Sequence, residues 1–162
     1  MFKYFPDNYV WNLSVDLALE SGAQIGEIEE MCAPLREVAL QGSDSGTQAF
    51  LESWVAMADR LVGLANEDAA MGRNFSAGAK LHRASLYYQT AERMQQHGSP
   101  SRMAVFQNGQ NAFRRAIELG RDNIERVEIP YQGSFIPGYF SKATWGEGER
   151  PTMVFVNGVD CH

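Results

Sequence analysis

The sequence has few of the residues that build metal sites, disulfide frameworks or nucleic-acid-binding surfaces. Its 162 residues include only two cysteines and three scattered histidines, and neither Cys32 nor Cys161 lies in a C-x-x-C spacing. We therefore expect two reduced thiols and no metal site. Acidic residues outnumber basic ones by 20 to 14, which leaves a net charge of −6. That balance argues against a nucleic-acid partner, which would require a basic face.

Long hydrophobic runs are absent as well. No apolar stretch approaches the roughly 20 residues that span a membrane. The first residues, MFKYFPDNYVW, carry an aspartate where a signal peptide would need its apolar segment. The hydrophobic fraction of 44% and the charged fraction of 21% are typical of a soluble globular protein. We therefore expect a cytoplasmic protein with no membrane partner.

The sequence also lacks a Gly-x-Ser-x-Gly stretch, the usual setting of a serine nucleophile between a strand and a helix. Gly42 and Gly46 have the right spacing, but Asp44 stands between them where the serine would be. We interpret residues 42–46 as a linker and helix cap. His82 and His97 lie in predicted helical segments and are interpreted as structural or surface residues.

Residues 8 to about 120 have the apolar periodicity of helices. Helices are predicted at 8–20 and at 25–40, with Pro34 splitting the second. Three longer helices should follow: one capped by Ser45 and Gln48 and stopped by Gly72, one ending near His97, and one from Ser99-Pro100 to Gly120. Their predicted buried stripes are Phe50, Trp54, Met57, Leu61 and Leu64; Ala77, Leu81, Ala84, Tyr88 and Ala91; and Met103, Phe106, Phe113, Ala116 and Ile117.

Residues 126–162 change to the period of strands. Val127, Ile129 and Tyr131 alternate with polar neighbours, Gln132-Gly133 is a turn, and Phe135 to Phe140 runs back as a hairpin. After a polar loop, Met153-Val154-Phe155-Val156 is an unbroken apolar run, which predicts a parallel strand buried on both faces. Such a strand needs parallel partners. We therefore expect an α/β fold whose sheet is incomplete in this chain, and we interpret the chain as the N-terminal portion of a longer protein.

This order of elements resembles the opening of α/β-hydrolases that carry a large N-terminal helical domain. The resemblance rests on VEIPYQGSFIPGYF, a Gly/Glu loop and PTMVFVNGVD, together with the helical stretches RASLYYQTAERM and NAFRRAIEL. The group includes hydrolases of 2,6-dihydroxypseudooxynicotine and fungal heptaketide chain-shortening hydrolases. The resemblance implies a helical cap domain over residues 1–122 and the start of the hydrolase core over residues 123–162.

The resemblance implies a serine hydrolase with a Ser, Asp and His triad that cleaves a C–C bond next to a ketone, or an ester, without a cofactor. Since the nucleophile is missing, the triad would not be in this chain, and His162 precedes any nucleophile and is not the triad base. The implied partners are a small-molecule substrate and the remainder of the hydrolase core. Whether the protein is a homodimer is left open. The 162 residues alone would be inactive.

One segment maps onto the chemistry of such a hydrolase. In that fold the turn after the third strand donates a backbone N–H to the oxyanion hole. Here Gly158 would allow close approach to the reacting carbonyl, and the N–H of Val159 would be the donor. Asn157 and Asp160 would flank the substrate, although many hydrolases have histidine at the position of Asn157. A plain strand-to-loop turn is the alternative.

Two further interpretations concern the helical residues. Trp11, Trp54 and Tyr88 are candidates for lining a substrate tunnel, although core packing is the commoner role for such side chains. The stretch around Gly72 to Tyr88 also resembles a tetratricopeptide hairpin, so a helical-repeat binding module without catalysis is the rival function. No second copy occurs at a 34-residue period, and one such repeat cannot bury its own core.

Overall fold

A computed structural model describes residues 3–41, 47–144, 146 and 148–156. The chain divides into two units, one ending at Asp122 and one beginning at Asn123. The first, called the helical unit here, contains helices only, and the second, the strand unit, contains a two-stranded antiparallel sheet. The described part is therefore mostly helical.

Short helices open the helical unit. Helix α1 (Tyr9–Glu20) is capped by Asn8, whose side-chain oxygen accepts a hydrogen bond from the N–H of Trp11 at 3.1 Å. Helix α2 (Ile25–Cys32) ends just before Pro34, which confirms the predicted split. A 3-10 turn (Ala33–Leu35) and the short α3 (Arg36–Ala39) follow.

Three long helices form the rest of the helical unit: α4 (Thr47–Ala70), α5 (Asn74–Glu92) and α6 (Pro100–Gly120). The turn between α4 and α5 contains Gly72 with a φ of +74°. Ser99 caps α6, since its hydroxyl accepts a hydrogen bond from the N–H of Arg102, and Pro100 is the first helical residue. These local signals explain why the helix positions could be predicted.

Helices α5 and α6 approach each other closely enough to require glycine. A Cβ on Gly78 would lie 2.9 Å from the backbone nitrogen of Gly120, a distance that real side chains do not tolerate. A Cβ on Gly109 would lie 3.3 Å from the Cβ of Tyr88. The absence of side chains at Gly78 and Gly109 allows the two helices to approach this closely.

The buried face of α6 agrees with the predicted one at Ala116, but Phe106, Phe113 and Ile117 are only half-buried. Val105, Gly109, Ala112 and Ala116 are buried, whereas Met103 is 55% exposed. On α4 the predicted Leu64 is 40% exposed, and Ala65 takes the buried position. On α6 the prediction favoured large apolar residues, whereas the close approach of α5 is made at glycine positions. The predicted α5 stripe is buried throughout.

Asp68 ties the end of α4 to the start of α5. Its carboxylate accepts hydrogen bonds from the Ser76 hydroxyl at 2.5 Å, the Lys80 ammonium at 2.6 Å and the Arg73 guanidinium at 3.5 Å. The hydrogen bonds from Lys80 and Ser76 lower the pKa of Asp68 from 3.8 to about 2. The folded structure therefore stabilises the charged form of the Asp68 carboxylate over the protonated form.

We expect this interaction to make the protein acid-sensitive. Since the folded pKa is depressed, the stabilisation is present above pH 3.8 and is lost as the pH falls towards 2. Asp68→Asn should therefore lose less free energy of unfolding than the wild type between pH 5 and pH 2, measured by urea denaturation at each pH. The exposed neighbour Glu67 provides the control, Glu67→Gln. Equal pH dependence in the wild type and Asp68→Asn would contradict the assignment.

The strand unit contains one hairpin. Strands β1 (Ile124–Tyr131) and β2 (Ser134–Ser141) pair antiparallel, with Ile129 opposite Ile136 and Val127 opposite Gly138. Gln132 and Gly133 both have positive φ, 47° and 78°, which defines the two-residue type I′ turn that matches strand twist. The predicted hairpin is confirmed.

The prediction of a buried strand over Met153–Val156 is not met in the described structure. These residues form no strand, and their side chains are between 75% and 87% exposed. The physical reason is the absence of a partner, because the only strand pairing in the described part of the chain joins β1 to β2. An apolar segment without neighbouring strands can neither complete a hydrogen-bonded ladder nor bury its side chains.

Candidate functional site

The predicted oxyanion segment, Asn157 to Asp160, lies outside the described residues. Its roles, with Gly158 allowing close approach and the Val159 N–H donating, therefore remain predictions. The same holds for the capping interaction predicted at Ser45. Cys32 is a free, buried thiol whose pKa is raised to about 12, chiefly by burial and then by the charge of Glu29, so it is protonated at neutral pH.

Trp11 and Trp54 belong to a continuous row of aromatic rings in the helical core. The ring centroids of Trp11 and Phe50 lie 5.0 Å apart, as do those of Phe50 and Trp54, and Tyr87 follows Trp54 at 5.7 Å. Both tryptophans are 0% exposed. Neither indole N–H has a hydrogen-bond partner among the described residues. Their observed role is packing, and a contact with substrate remains a prediction.

Tyr88 and Tyr87 each place a hydroxyl on a carboxylate. The Tyr88 hydroxyl donates to Asp59, and the Tyr87 hydroxyl donates to Glu27, which also forms an ion pair with Arg83 at 3.0 Å. Burial first, and the carboxylate second, raise the pKa of both tyrosines. These phenols are therefore neutral donors that fix neighbouring helices, and neither is poised to act as a base.

A polar groove lies along α5, and we call it the α5 groove. Its volume is about 430 Å³, and its lining includes His82, Arg83, Ser85, Gln89 and Phe113. The His82 Nε2 lies 2.7 Å from Asp122 Oδ2, and the ring meets Phe113 edge-on. Among the described residues no hydroxyl is hydrogen-bonded to His82, so a nucleophile–base pair is not formed there.

A smaller cavity, called the Asn8 cavity here, lies at the start of the helical unit. It has a volume of about 220 Å³ and is lined by residues 4–8 together with Arg36, Ala39 and Leu40. Asn8 is 2% exposed, and its Nδ2 has no hydrogen-bond partner among the described residues. This cavity could not be predicted from the sequence, because it forms only when the segment before α1 packs against α3.

The hairpin has one predominantly apolar face. By alternation along the strands, Val127, Ile129 and Tyr131 share that face with Ile136 and Phe140 across the register. Ile129 is 54% exposed and Ile136 48%. Since an isolated two-stranded hairpin is only marginally stable in water, this face is suited to burial by further structure.

No family model matches the sequence. The chain is similar to the "Alpha/beta hydrolase gkaG" of Penicillium citrinum, with 24% identity over 147 residues. The match covers 88% of this chain and 33% of the relative, so the chain spans about a third of the relative's length. This similarity supports a relationship to α/β-hydrolases across the helical unit as well as the strand unit.

The described part of the chain has neither a cluster of metal ligands nor a membrane-spanning helix. There, His, Cys, Asp and Glu side chains do not gather in groups of three or more that could hold a metal ion. Within the same residues, no helix has the length and apolar character needed to cross a membrane.

Proposed function

We propose that this chain is the N-terminal part of a serine hydrolase of the α/β-hydrolase fold. The reaction we propose is cleavage of a C–C bond next to a ketone, or of an ester, in a small or polyketide-like substrate. The observation that carries the proposal is the similarity to an α/β-hydrolase along 88% of the chain. A match of that extent includes the helical unit, so the proposal concerns the whole chain and not the hairpin alone.

The strand unit would begin the catalytic sheet. The apolar face of the hairpin and the exposed Met153–Val156 segment both offer side chains that a larger sheet would bury. We propose that Met153–Val156 becomes a strand when parallel partners are present, and that Gly158 and Val159 then form half of the oxyanion hole. The nucleophile, acid and base would come from residues other than these 162.

The helical unit would act as the cap over the active site. Its rigid core, built on the aromatic row from Trp11 to Tyr87, would hold the substrate-facing surface in a fixed shape. We keep Trp11, Trp54 and Tyr88 as proposed substrate-binding residues together with Asn157 and Asp160, although the burial of the first three favours a supporting role. The proposed partners are a small-molecule substrate and the remaining hydrolase core. A second copy of the protein, in a homodimer, is a further candidate partner.

The helical-repeat alternative receives no support from the comparisons. Helices α4, α5 and α6 do form successive hairpins, as a repeat protein would, but they have 24, 19 and 21 residues and show no repeated sequence. A binding module would also leave the hairpin and its apolar face without a purpose.

A fluorophosphonate probe tests the proposal, because it reacts with an activated serine hydroxyl. We expect the full-length protein that contains this chain to be labelled once per molecule and to lose p-nitrophenyl acetate hydrolysis in parallel. The 162-residue chain alone should be neither labelled nor active. Absence of labelling in folded full-length protein, or labelling that leaves hydrolysis intact, would contradict the proposed function.

A further inference from the structure

We propose that the α5 groove is a binding site for a small, uncharged carboxamide with an apolar body. The amide group of the ligand pairs with the Gln89 side chain and the Ser85 hydroxyl, and its body lies against Phe113 and Leu86. The groove lies wholly within the helical unit, so the proposal does not rest on the proposed hydrolase function. It concerns binding and no second reaction.

The Ser85 hydroxyl lies at the wall of the groove without a partner of its own. The residue is 3% exposed and lines the groove, and no described residue forms a hydrogen bond with its side chain. The buried hydroxyls of Ser14 and Thr90 instead donate to carbonyls one turn earlier in their helices, at 3.0 Å and 2.9 Å. The Ser85 oxygen keeps contact with solvent, because it is not one of the polar atoms that the fold seals off. A ligand in the groove can therefore reach it.

Gln89 lies one turn further along α5 and adds both donors and an acceptor. Residues four apart on a helix lie on one face, with about 5–6 Å between their Cβ atoms, so Ser85 and Gln89 can contact the same ligand group. Gln89 is exposed, lines the groove, and has no hydrogen-bond partner for its side-chain amide among the described residues. A side-chain amide carries one acceptor oxygen and two N–H donors. A carboxamide offers the complementary set, so it can accept from Ser85 while it donates to Gln89.

The charges along the groove are already paired. Arg83 donates to the Glu27 carboxylate from Nε at 3.0 Å and from Nη2 at 3.1 Å, and from Nη1 to the Ala79 carbonyl at 3.3 Å. The His82 Nε2 lies 2.7 Å from Asp122 Oδ2. Glu27 thus neutralises the charge of Arg83, and the Asp122 carboxylate repels an anion. The groove therefore favours an uncharged ligand.

Phe113 and Leu86 give the groove apolar surface. Both are half-buried residues of the lining, Phe113 on α6 and Leu86 on α5. A volume of about 430 Å³ accommodates a single aromatic ring with a short substituent. A site that combines apolar walls with a few placed polar groups binds a ligand that has an apolar body and a matching polar group. Benzamide has this combination.

Benzamide, acetophenone and benzoate test the proposal, because all three carry a ring and a carbonyl carbon and differ in one group. Each is titrated into the ¹⁵N-labelled 162-residue chain. Binding is followed by the backbone amide shifts of Ser85 and Leu86 and by the side-chain amide signals of Gln89. We expect benzamide to bind about fivefold to tenfold more tightly than acetophenone, which lacks the N–H donors. Benzoate, which is charged, should bind more weakly than benzamide.

Gln89→Met tests the amide pairing, because it removes the amide and keeps the length of the side chain. It should abolish the preference for benzamide over acetophenone. The control is Gln96→Met, at an exposed position outside the groove, which should preserve the preference.

Ser85→Ala tests the hydroxyl. It should weaken benzamide and acetophenone alike, by about threefold to tenfold, because the carbonyl oxygen of each accepts the Ser85 hydrogen bond. The control is Ser14→Ala, which removes a similarly buried helical hydroxyl outside the groove and should change neither affinity. Circular dichroism at 222 nm shows whether each variant is folded.

Several results would overturn the proposal. Equal affinity for benzamide and acetophenone, or an unchanged preference in Gln89→Met, would exclude the amide pairing, and unchanged affinities in folded Ser85→Ala would exclude the hydroxyl. Absence of benzamide binding at millimolar concentration, or tighter binding of benzoate, would reject the ligand class. Shifts confined to residues outside the groove would place the ligand elsewhere. Since none of these experiments measures hydrolysis, failure here leaves the proposed function intact, and failure of the serine probe leaves this site intact.

Discussion

Replacing Gly158 by valine is expected to lower kcat of the full-length protein by about a hundredfold to a thousandfold, the usual effect of losing one oxyanion donor. Under the proposed function, the backbone at Gly158 must come close to the reacting carbonyl so that the Val159 N–H can reach the developing oxyanion. A valine side chain would occupy that space. The effect should appear in kcat rather than in KM, because the hydrogen bond strengthens only in the transition state.

The matched control is Gly63→Val. Gly63 lies on the exposed face of α4, and a Cβ there meets no atom within 4 Å. Its kcat should equal that of the wild type. Initial rates with an ester and with a β-diketone would show which bond type is affected. A folded Gly158→Val protein with unchanged kcat would remove this segment from the mechanism.

The second large effect is expected at the buried ion pair between α5 and α6. Arg102 Nε donates to Glu92 Oε2 at 2.6 Å, and Arg102 Nη1 donates to the carbonyl oxygen of Gln95 at 3.3 Å. Arg102 is 8% exposed and Glu92 4%. Arg102→Met should lower the free energy of unfolding by about 3–5 kcal/mol, because the Glu92 carboxylate is then buried without a partner.

Two comparisons separate this cost from a general effect of losing arginine. Arg60→Met removes the exposed pair with Glu30 and should cost less than about 1 kcal/mol. The double variant Glu92→Leu/Arg102→Met removes both charges and should recover most of the loss. Urea unfolding followed by circular dichroism at 222 nm measures all three. A similar loss in Arg102→Met and Arg60→Met would contradict the buried-pair account.

Much of the fold could be predicted because the boundaries of the helices and of the hairpin depend on neighbouring residues. Pro34 ends α2, Ser99 and Pro100 start α6, and the Gln132-Gly133 turn sets the hairpin, all through local backbone chemistry. The predictions that failed concern features that depend on residues distant in the sequence. The buried face of α6 is decided by how closely Gly78 lets α5 approach, and that distance is not encoded within α6.

The candidate sites were harder to predict than the fold. The Asn8 cavity could not be predicted, because it forms only when the segment before α1 packs against Arg36, Ala39 and Leu40. Met153–Val156 has the composition of a buried strand, but composition states only what a segment would do if partners were present. Trp54 was correctly predicted in the buried stripe of α4, whereas the proposed contact of Trp11 and Trp54 with substrate stays a prediction.

The aromatic row also gives the protein a built-in optical reporter. Trp11 and Trp54 are both shielded from water, so their emission should lie at short wavelength while the helical core is intact and shift to longer wavelength when it opens. Tyr87, 5.7 Å from Trp54, is close enough to pass excitation energy to it. With Trp145, the third tryptophan of the chain, replaced by phenylalanine, the fluorescence of unlabelled protein would therefore show whether a substitution or a ligand has disturbed the centre of the helical unit.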